Sequence, residues 1–123
     1  MKGKKNSAER HKLREDALRP CAFLGYDRDT LGMHLLSCRA YKIAEAQFRR
    51  AIWLNPYEPR FKAHLAFCLH KQNRDEEACM LLDKLPREKW TRDMVELSDL
   101  LSESTREQER KSRIAEQGHD SGE

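Results

Sequence analysis

The sequence predicts an all-α protein with one small domain. The chain has 123 residues, of which 38% are apolar, enough for a single modest core. Apolar residues recur at the period of an amphipathic helix almost throughout, and no segment alternates as a strand does. Short breaks containing Pro, Asn or Asp separate the helical segments. We therefore expect helices of roughly 12 residues, each antiparallel to its neighbour.

Residues 1–20 form a basic arm, with seven Lys/Arg against three Asp/Glu. The arm has no interleaved aromatic residues and no groove-reading motif, so we expect it to be partly disordered or helical and surrounded by solvent. Its composition disfavours a nucleic-acid partner, although nucleic-acid association stays an alternative function. The cations that would serve it are Lys2, Lys4, Lys5, Arg10, Lys12 and Arg14.

The first three core helices have recognisable start and stop signals. Asp27 or Asp29 is the expected N-cap of the first, because a short acidic side chain accepts bonds from free backbone N–H groups. The segment "NPYEPR" ends the second helix, and Pro59 suits the first position of the third. Loops of about three residues then join adjacent helices.

The last two core helices are marked in the same way. Asn73 tolerates a left-handed turn, and Asp75 is the expected N-cap of the fourth helix. Pro86 ends that helix, and Thr91 or Asp93 begins the fifth.

The C-terminal residues 106–123 are expected to form a polar helical extension and then a disordered tail at "GHDSGE". The extension is polar on all sides, so we expect solvent around it. The alternative is left open that this segment folds back and binds in a groove of its own domain, as a self-ligand.

A shift of 34 residues superimposes one helical hairpin on the next. Leu31, Gly32, Leu35, Ala44, Phe48 and Ala51 fall on Leu65, Ala66, Leu69, Ala78, Leu82 and Leu85. Small residues meet small and large meet large, except at Leu85. A small residue on the first helix allows the second helix to cross closely, so these positions predict repeat packing.

These residues resemble the tetratricopeptide repeat family, whose unit is a helical hairpin of this length. Residues 25–58 carry the motif best, with Tyr41 in the turn and Pro56 at the end; Arg28 replaces the family's leading Trp. Residues 59–90 match more loosely, because Pro86 comes early. The resemblance implies an α-α superhelix over residues 21–105, made of two repeats and a C-terminal capping helix, 91–105.

The resemblance also implies a concave face, lined by the first helix of each repeat, that binds a peptide or helix of a partner protein. The residues expected there are Tyr26, Asp29, Met33, Leu36, Ser37, Arg60, Ala63, Phe67, His70, Lys71, Val95, Asp99 and Ser102. Their apolar and cationic mixture favours a ligand with apolar anchors and some acidic character. The alternative is that Leu36, Phe67 and Val95 only pack against the tails.

The expected function is thus a non-catalytic protein interaction module. A small chaperone of this repeat type for a secreted substrate is the alternative. Members of that family that grip terminal carboxylates have the cations Lys and Arg at the places that hold Asp29 and Asp99 here, which disfavours such a ligand. Two repeats bury little apolar surface, so a homo-oligomer, with Trp53 or Trp90 at its contact, is left open.

No enzymatic or cofactor motif stands out. The chain has no Gly-rich phosphate loop, no G-x-S-x-G and no C-x-x-C, so we expect neither catalysis nor a cofactor. His34 and Cys38 are spaced to share a helix face, as are His64 and Cys68, but the 30-residue offset between the pairs disfavours zinc.

The cysteines and the hydropathy bear on location. We expect four free thiols, mostly buried, because there is no secretory signal that would favour disulfides. No stretch approaches the ~20 apolar residues of a spanning helix, so the expectation is a cytoplasmic protein without membrane insertion.

Overall fold

The computed structural model describes residues 6–120, with side chains over residues 6–116, and this part of the chain is all-α. The fold-class prediction is confirmed at that level. The helices are α1 (Ser7–Leu18), α2 (Tyr26–Ser37), α3 (Tyr41–Leu54), α4 (Pro59–Lys71), α5 (Asp75–Asp83) and α6 (Arg92–Asp120), with one 3₁₀ turn at Arg87–Lys89.

Consecutive helices pack against each other from α2 to α6, and α4 occupies the centre. Helix α4 contacts α3 and α5 extensively, and it also contacts α2 and α6. A continuous core runs through these helices, with Phe48, Leu65, Leu82 and Met94 among its fully buried members. The central position of α4 is what brings α2 and α6 to the same side of the bundle.

The turns inside the two hairpins have the same backbone geometry, 34 residues apart. Arg39 and Asn73 both have a φ of 63°, so the left-handed turn predicted at Asn73 is confirmed. The next N–H in each turn returns to the preceding helix: Ala40 N to Leu35 O and Arg74 N to Leu69 O, both 2.9 Å. The two turns therefore recur at the same 34-residue interval as the sequence pattern.

The close crossing inside the first hairpin depends on Gly32. A Cβ atom at Gly32 would lie 2.5 Å from Phe48 Cε1 and under 3.0 Å from two more ring atoms. The Phe48 ring is fully buried. Helix α3 can therefore approach α2 this closely only because residue 32 has no side chain.

Helix α2 begins differently from the prediction. Gly25 is its N-cap, with a φ of 93°, and neither Asp27 nor Asp29 caps it. A Cβ at Gly25 would lie 2.8 Å from a Phe61 ring carbon and 2.9 Å from the Ala51 carbonyl oxygen. The turn is thus set by packing against α3 and α4, and both acidic residues fall in the first helical turn, where they favour the helix dipole.

The starts of α4 and α5 also follow from local bonds. Helix α4 begins at Pro59 as predicted, and the Glu58 side chain caps it. Asp75 was the expected N-cap of α5 but is its first helical residue, preceded by Arg74. Its carboxylate instead lies 2.8 Å from His70 Nδ1, a bond back to α4 that draws the side chain away from the free N–H groups.

Helix α6 begins at Arg92, directly after Thr91, and continues to Asp120. The capping helix predicted over 91–105 and the polar helical extension predicted after it are thus one continuous helix, and the last three residues of the predicted disordered tail lie outside the described residues. Side chains from Glu107 to Glu116 are exposed. This part of the helix does not return to the domain, so it is not a self-ligand.

Most predicted packing positions lie in the core or against it: Gly32, Ala44, Phe48, Ala51, Leu65, Ala66, Leu69, Ala78 and Leu82 are buried, and Leu35 and Tyr41 are half-buried. Two are exposed. Leu31 is 42% exposed, because the core lies on the other side of α2, and Pro56 acts through its fixed backbone rather than by packing.

Helix α1 is held mainly by charged groups. Glu15 is buried, and its carboxylate accepts bonds from Arg28 Nη2 at 2.8 Å and Nε at 3.2 Å. Arg50 Nη2 lies 2.7 Å from Asp16 Oδ1. The hydrogen bond from Arg28 holds the pKa of Glu15 below its ordinary value. The part of the basic arm that contains Lys2, Lys4 and Lys5 lies outside the described residues.

Candidate functional site

A groove of about 360 Å³ opens between α2, α4 and α6. These helices meet there because α4 lies between the other two in the bundle. The lining residues are Met33 from α2; Arg60, Ala63, His64 and Phe67 from α4; Thr91, which precedes α6; and Asp93, Met94, Glu96, Leu97 and Leu100 from the start of α6.

Three apolar side chains, one from each helix, form a row along the groove. Met33 is 41% exposed and Leu100 is 47% exposed, while Phe67 between them is half-buried and packs on the core. The ammonium of Lys71 lies 5.3 Å from the centre of the Phe67 ring. The row offers apolar surface that no described segment of the chain covers.

The cation on the α4 side of the groove already has a partner. Arg60 donates from Nε at 3.1 Å and from Nη2 at 2.8 Å to Glu58 Oε1, and the Tyr26 hydroxyl donates to the same oxygen at 3.1 Å. Burial alone would raise the pKa of Glu58, but the bonds from Arg60 and Tyr26 bring it below its ordinary value. Glu58 therefore remains charged and neutralises Arg60.

The other ionisable group on α4 is also engaged. His64 Nδ1 lies 2.7 Å from Asp29 Oδ1. Asp29, predicted as a groove residue, thus reaches the site through His64 and does not line the cavity itself. The α4 wall offers little free charge to a ligand.

The α6 wall is acidic. Asp93 and Glu96 are both exposed and line the groove. Glu96 accepts one bond from Arg92 at 3.2 Å, in a pair that is largely exposed on both sides. Such a surface pair contributes little, about 0–1 kcal/mol, so both carboxylates remain accessible to a ligand.

The structure brings together only part of the predicted groove set. Met33, Arg60, Ala63 and Phe67 line the cavity, and Tyr26 supports it through Glu58. The predicted residues outside the cavity are Ser37, whose hydroxyl bonds His34 O; His70, which bonds Asp75; Lys71, over the Phe67 ring; Ser102, which bonds Ser98 O; and Leu36, buried in the core.

Helix α6 presents a different side from the one expected. Glu96 and Leu100 line the groove in place of the predicted Val95 and Asp99. The orientation of the helix follows from its buried residues, Met94, Leu97 and Leu101. Val95 and Asp99 lie on one flank of this buried stripe, whereas the groove is on the other.

The two His–Cys pairs do not combine into one site, because His64 and Cys68 have other hydrogen-bond partners. His34 Nε2 lies 3.9 Å from Cys38 Sγ, whereas His64 bonds Asp29 and the Cys68 thiol donates to Tyr41 O at 3.2 Å. Among the described residues, no group of three or more potential metal ligands comes together.

The four thiols are free, but they differ in burial. Cys68 is buried, and that burial raises the pKa of its thiol. Cys38 is exposed at the end of α2, contrary to the expectation of mostly buried cysteines, because the turn at Arg39 leaves the helix end open to solvent.

Comparison with known proteins gives no family model, curated protein or solved structure that matches the chain. None of the helices within residues 6–120 offers the apolar length that a bilayer crossing requires.

Proposed function

We propose that the chain is a non-catalytic interaction module that holds an amphipathic segment of a partner protein in the groove between α2, α4 and α6. The observation that carries the proposal is the row of accessible apolar side chains, the exposed Met33 and Leu100 and the half-buried Phe67, in a preformed cavity of about 360 Å³. Such a row, with one anchor from each of three adjacent helices, suits a helix or extended peptide with spaced apolar residues.

The proposal includes the repeat family. Residues 25–58 and 59–90 would be two tetratricopeptide units, with the start of α6 as the capping helix. The matching turns at Arg39 and Asn73 support this, as do the fully buried alanines Ala44 and Ala78. In a stack of such units the first helices line a concave face, which agrees with the position of the groove beside α2 and α4.

The charges favour a ligand with basic rather than acidic character. Because Glu58 neutralises Arg60, the cation that suggested an acidic ligand is occupied. The exposed carboxylates of Asp93 and Glu96 remain. We therefore expect a partner segment whose apolar residues contact the row and whose Lys or Arg side chains face α6.

A peptide selection tests the proposal. Helical peptides would be selected from a displayed library against the wild type and then titrated by fluorescence anisotropy against two double variants. Met33→Ser/Leu100→Ser removes two half-exposed anchors from the groove. Met80→Ser/Val95→Ser removes an exposed Met and an exposed aliphatic residue outside it.

We expect the groove variant to weaken binding by about tenfold or more, since two apolar contacts at roughly 1 kcal/mol each are lost. The matched variant should bind as the wild type does. Asp93→Asn/Glu96→Gln should reduce the affinity only for peptides that carry Lys or Arg. Equal losses in the groove variant and the matched variant would contradict the proposal.

A further inference from the structure

A second cleft lies at one end of the bundle, where the loop between α3 and α4 meets the segment that follows α5. Its volume is about 240 Å³. Three lysines and an apolar surface line it. These are Lys62, Lys84 and Lys89, together with Pro56, Tyr57, Pro59, Leu85 and Pro86; we refer to the site as the lysine cleft.

The lysine cleft has no acidic residue among its lining residues. Within residues 6–116, none of Lys62, Lys84 and Lys89 forms an ion pair. The contrast with the groove is direct, because Arg60 there is held by Glu58. Three ammonium groups around one small cleft therefore keep their charge available for an anion from outside.

Internal hydrogen bonds hold the wall that carries Tyr57. The side chain of Asn55 is buried, and its amide donates to the carbonyl oxygens of Ala22 at 3.2 Å and Leu24 at 3.0 Å. Its own oxygen accepts from Tyr57 N at 3.1 Å. The Tyr57 side chain is 63% exposed on this fixed loop, and Pro56 stiffens the backbone beside it.

The opposite wall is held as well. Trp90 Nε1 donates to the Leu85 carbonyl oxygen at 3.1 Å, and Leu85 is buried. The Lys89 N–H donates to the Pro86 carbonyl oxygen at 2.9 Å. Both walls are thus in place before a ligand arrives, which reduces the ordering cost of binding.

We propose that the lysine cleft binds an acidic peptide segment of a partner protein. Carboxylates of the segment would face Lys62, Lys84 and Lys89, and an apolar side chain between them would lie on Tyr57 and the prolines. Charge complementarity selects an anionic ligand. A nucleic acid needs a longer cationic track with several stacking aromatics, whereas this cleft has one exposed aromatic ring and room for one or two side chains.

The lysine cleft is separate from the groove of the proposed function. Lys62 comes two residues after Arg60 and two before His64 on α4, so it lies on another side of that helix, and the two cavities share no lining residue. The inference therefore holds or fails independently of the groove.

Fluorescence anisotropy with a labelled Glu-Glu-Phe-Glu-Glu peptide tests the inference. The uncharged analogue Gln-Gln-Phe-Gln-Gln and a single-stranded oligonucleotide of equal charge are the comparison probes. The cleft variant is Lys62→Gln/Lys84→Gln/Lys89→Gln. The matched variant, Lys12→Gln/Lys42→Gln/Lys111→Gln, removes the same net charge from exposed positions outside the cleft.

We expect saturable binding of the acidic peptide, weakened about tenfold by the cleft variant and less than about threefold by the matched variant. The Gln analogue should not bind. If the cleft variant loses its helical circular dichroism, the three single substitutions replace it. Equal losses in both variants, tighter binding of the oligonucleotide, or no saturable peptide binding would each overturn the proposal.

Discussion

Replacing Gly32 with alanine tests whether the close crossing of α2 and α3 determines the stability of the first hairpin. The new methyl group would lie 2.5 Å from Phe48 Cε1, 2.8 Å from Cδ1 and 2.9 Å from Cζ. Ordinary contact requires about 3.4–4 Å, so the ring or the whole of α3 has to move by about 1 Å. The Phe48 ring is fully buried and has no solvent to move into.

Two effects of opposite sign decide the result. Alanine favours a helix over glycine by about 1 kcal/mol. Overpacking of a filled core costs typically 1–3 kcal/mol, and contact with three ring atoms places Gly32→Ala at the upper end, about 3 kcal/mol. The free energy of unfolding should therefore fall by about 2 kcal/mol, which corresponds to a decrease in Tm of about 8 °C.

Urea denaturation followed by circular dichroism measures this change, with a double-mutant cycle as the control. In a Phe48→Leu background the ring atoms are gone, so Gly32→Ala should cost less than about 0.5 kcal/mol or stabilise the protein. If Gly32→Ala stabilises the wild type by about 1 kcal/mol, helix propensity alone acts, and the close crossing does not limit the packing.

Three further outcomes follow from buried groups. Glu15→Gln should lower the stability by about 1–3 kcal/mol and speed amide exchange in α1, because Arg28 loses its anion. Because the pKa of Glu15 is lowered in the folded protein, its contribution to the free energy of unfolding is complete above the ordinary carboxyl pKa of about 4.3. In the wild type this contribution is lost as the pH falls through the lowered pKa, and Glu15→Gln should lack this acid dependence. Asn55→Ala should cost about 2–3 kcal/mol in urea denaturation, since it removes three hydrogen bonds to the backbone. Cys38 should react with a thiol reagent in the native protein, whereas Cys68 should react only on unfolding, because it is buried and its pKa is raised; equal rates would contradict this assignment.

Local sequence signals were sufficient to predict the core helices and the residues at which several of them begin or end. Pro59 begins α4 because its ring fixes a helical φ, and Asn73 adopts the left-handed turn that its short amide side chain tolerates. The close crossing of α2 and α3 could also be predicted, because the small residue Gly32 recurs as Ala66 at the repeat spacing, although its contact with Phe48 was not predicted. These features need no knowledge of distant contacts.

Features set by distant contacts could not be predicted in this way. Gly25 takes its conformation from Phe61 and from the Ala51 carbonyl, which lie 36 and 26 positions further along the sequence. Asn55 resembles an ordinary turn residue in the sequence, yet it is buried because its amide bonds carbonyl groups in the loop before α2. Both depend on how the hairpins pack, which the residue pattern leaves undetermined.

The charge of the groove was misjudged for a related reason. The sequence predicts a free cation at Arg60, but Glu58, two residues earlier, accepts two bonds from its guanidinium at one carboxylate oxygen and also caps α4. The orientation of α6 then places Glu96, rather than Val95, on the groove. The short spacing from Glu58 to Arg60 was a local signal that Arg60 is paired. The orientation of α6, in contrast, follows only from its stripe of buried residues.

The two proposed sites have opposite charge and lie on different sides of α4. The groove presents Asp93 and Glu96, and the lysine cleft presents three ammonium groups without described counter-ions. A uniformly acidic or basic partner can therefore satisfy one site only, whereas a partner with a basic amphipathic segment beside an acidic one can occupy both. In the second case the losses from the groove and cleft variants should add as free energies, since the sites share no lining residue.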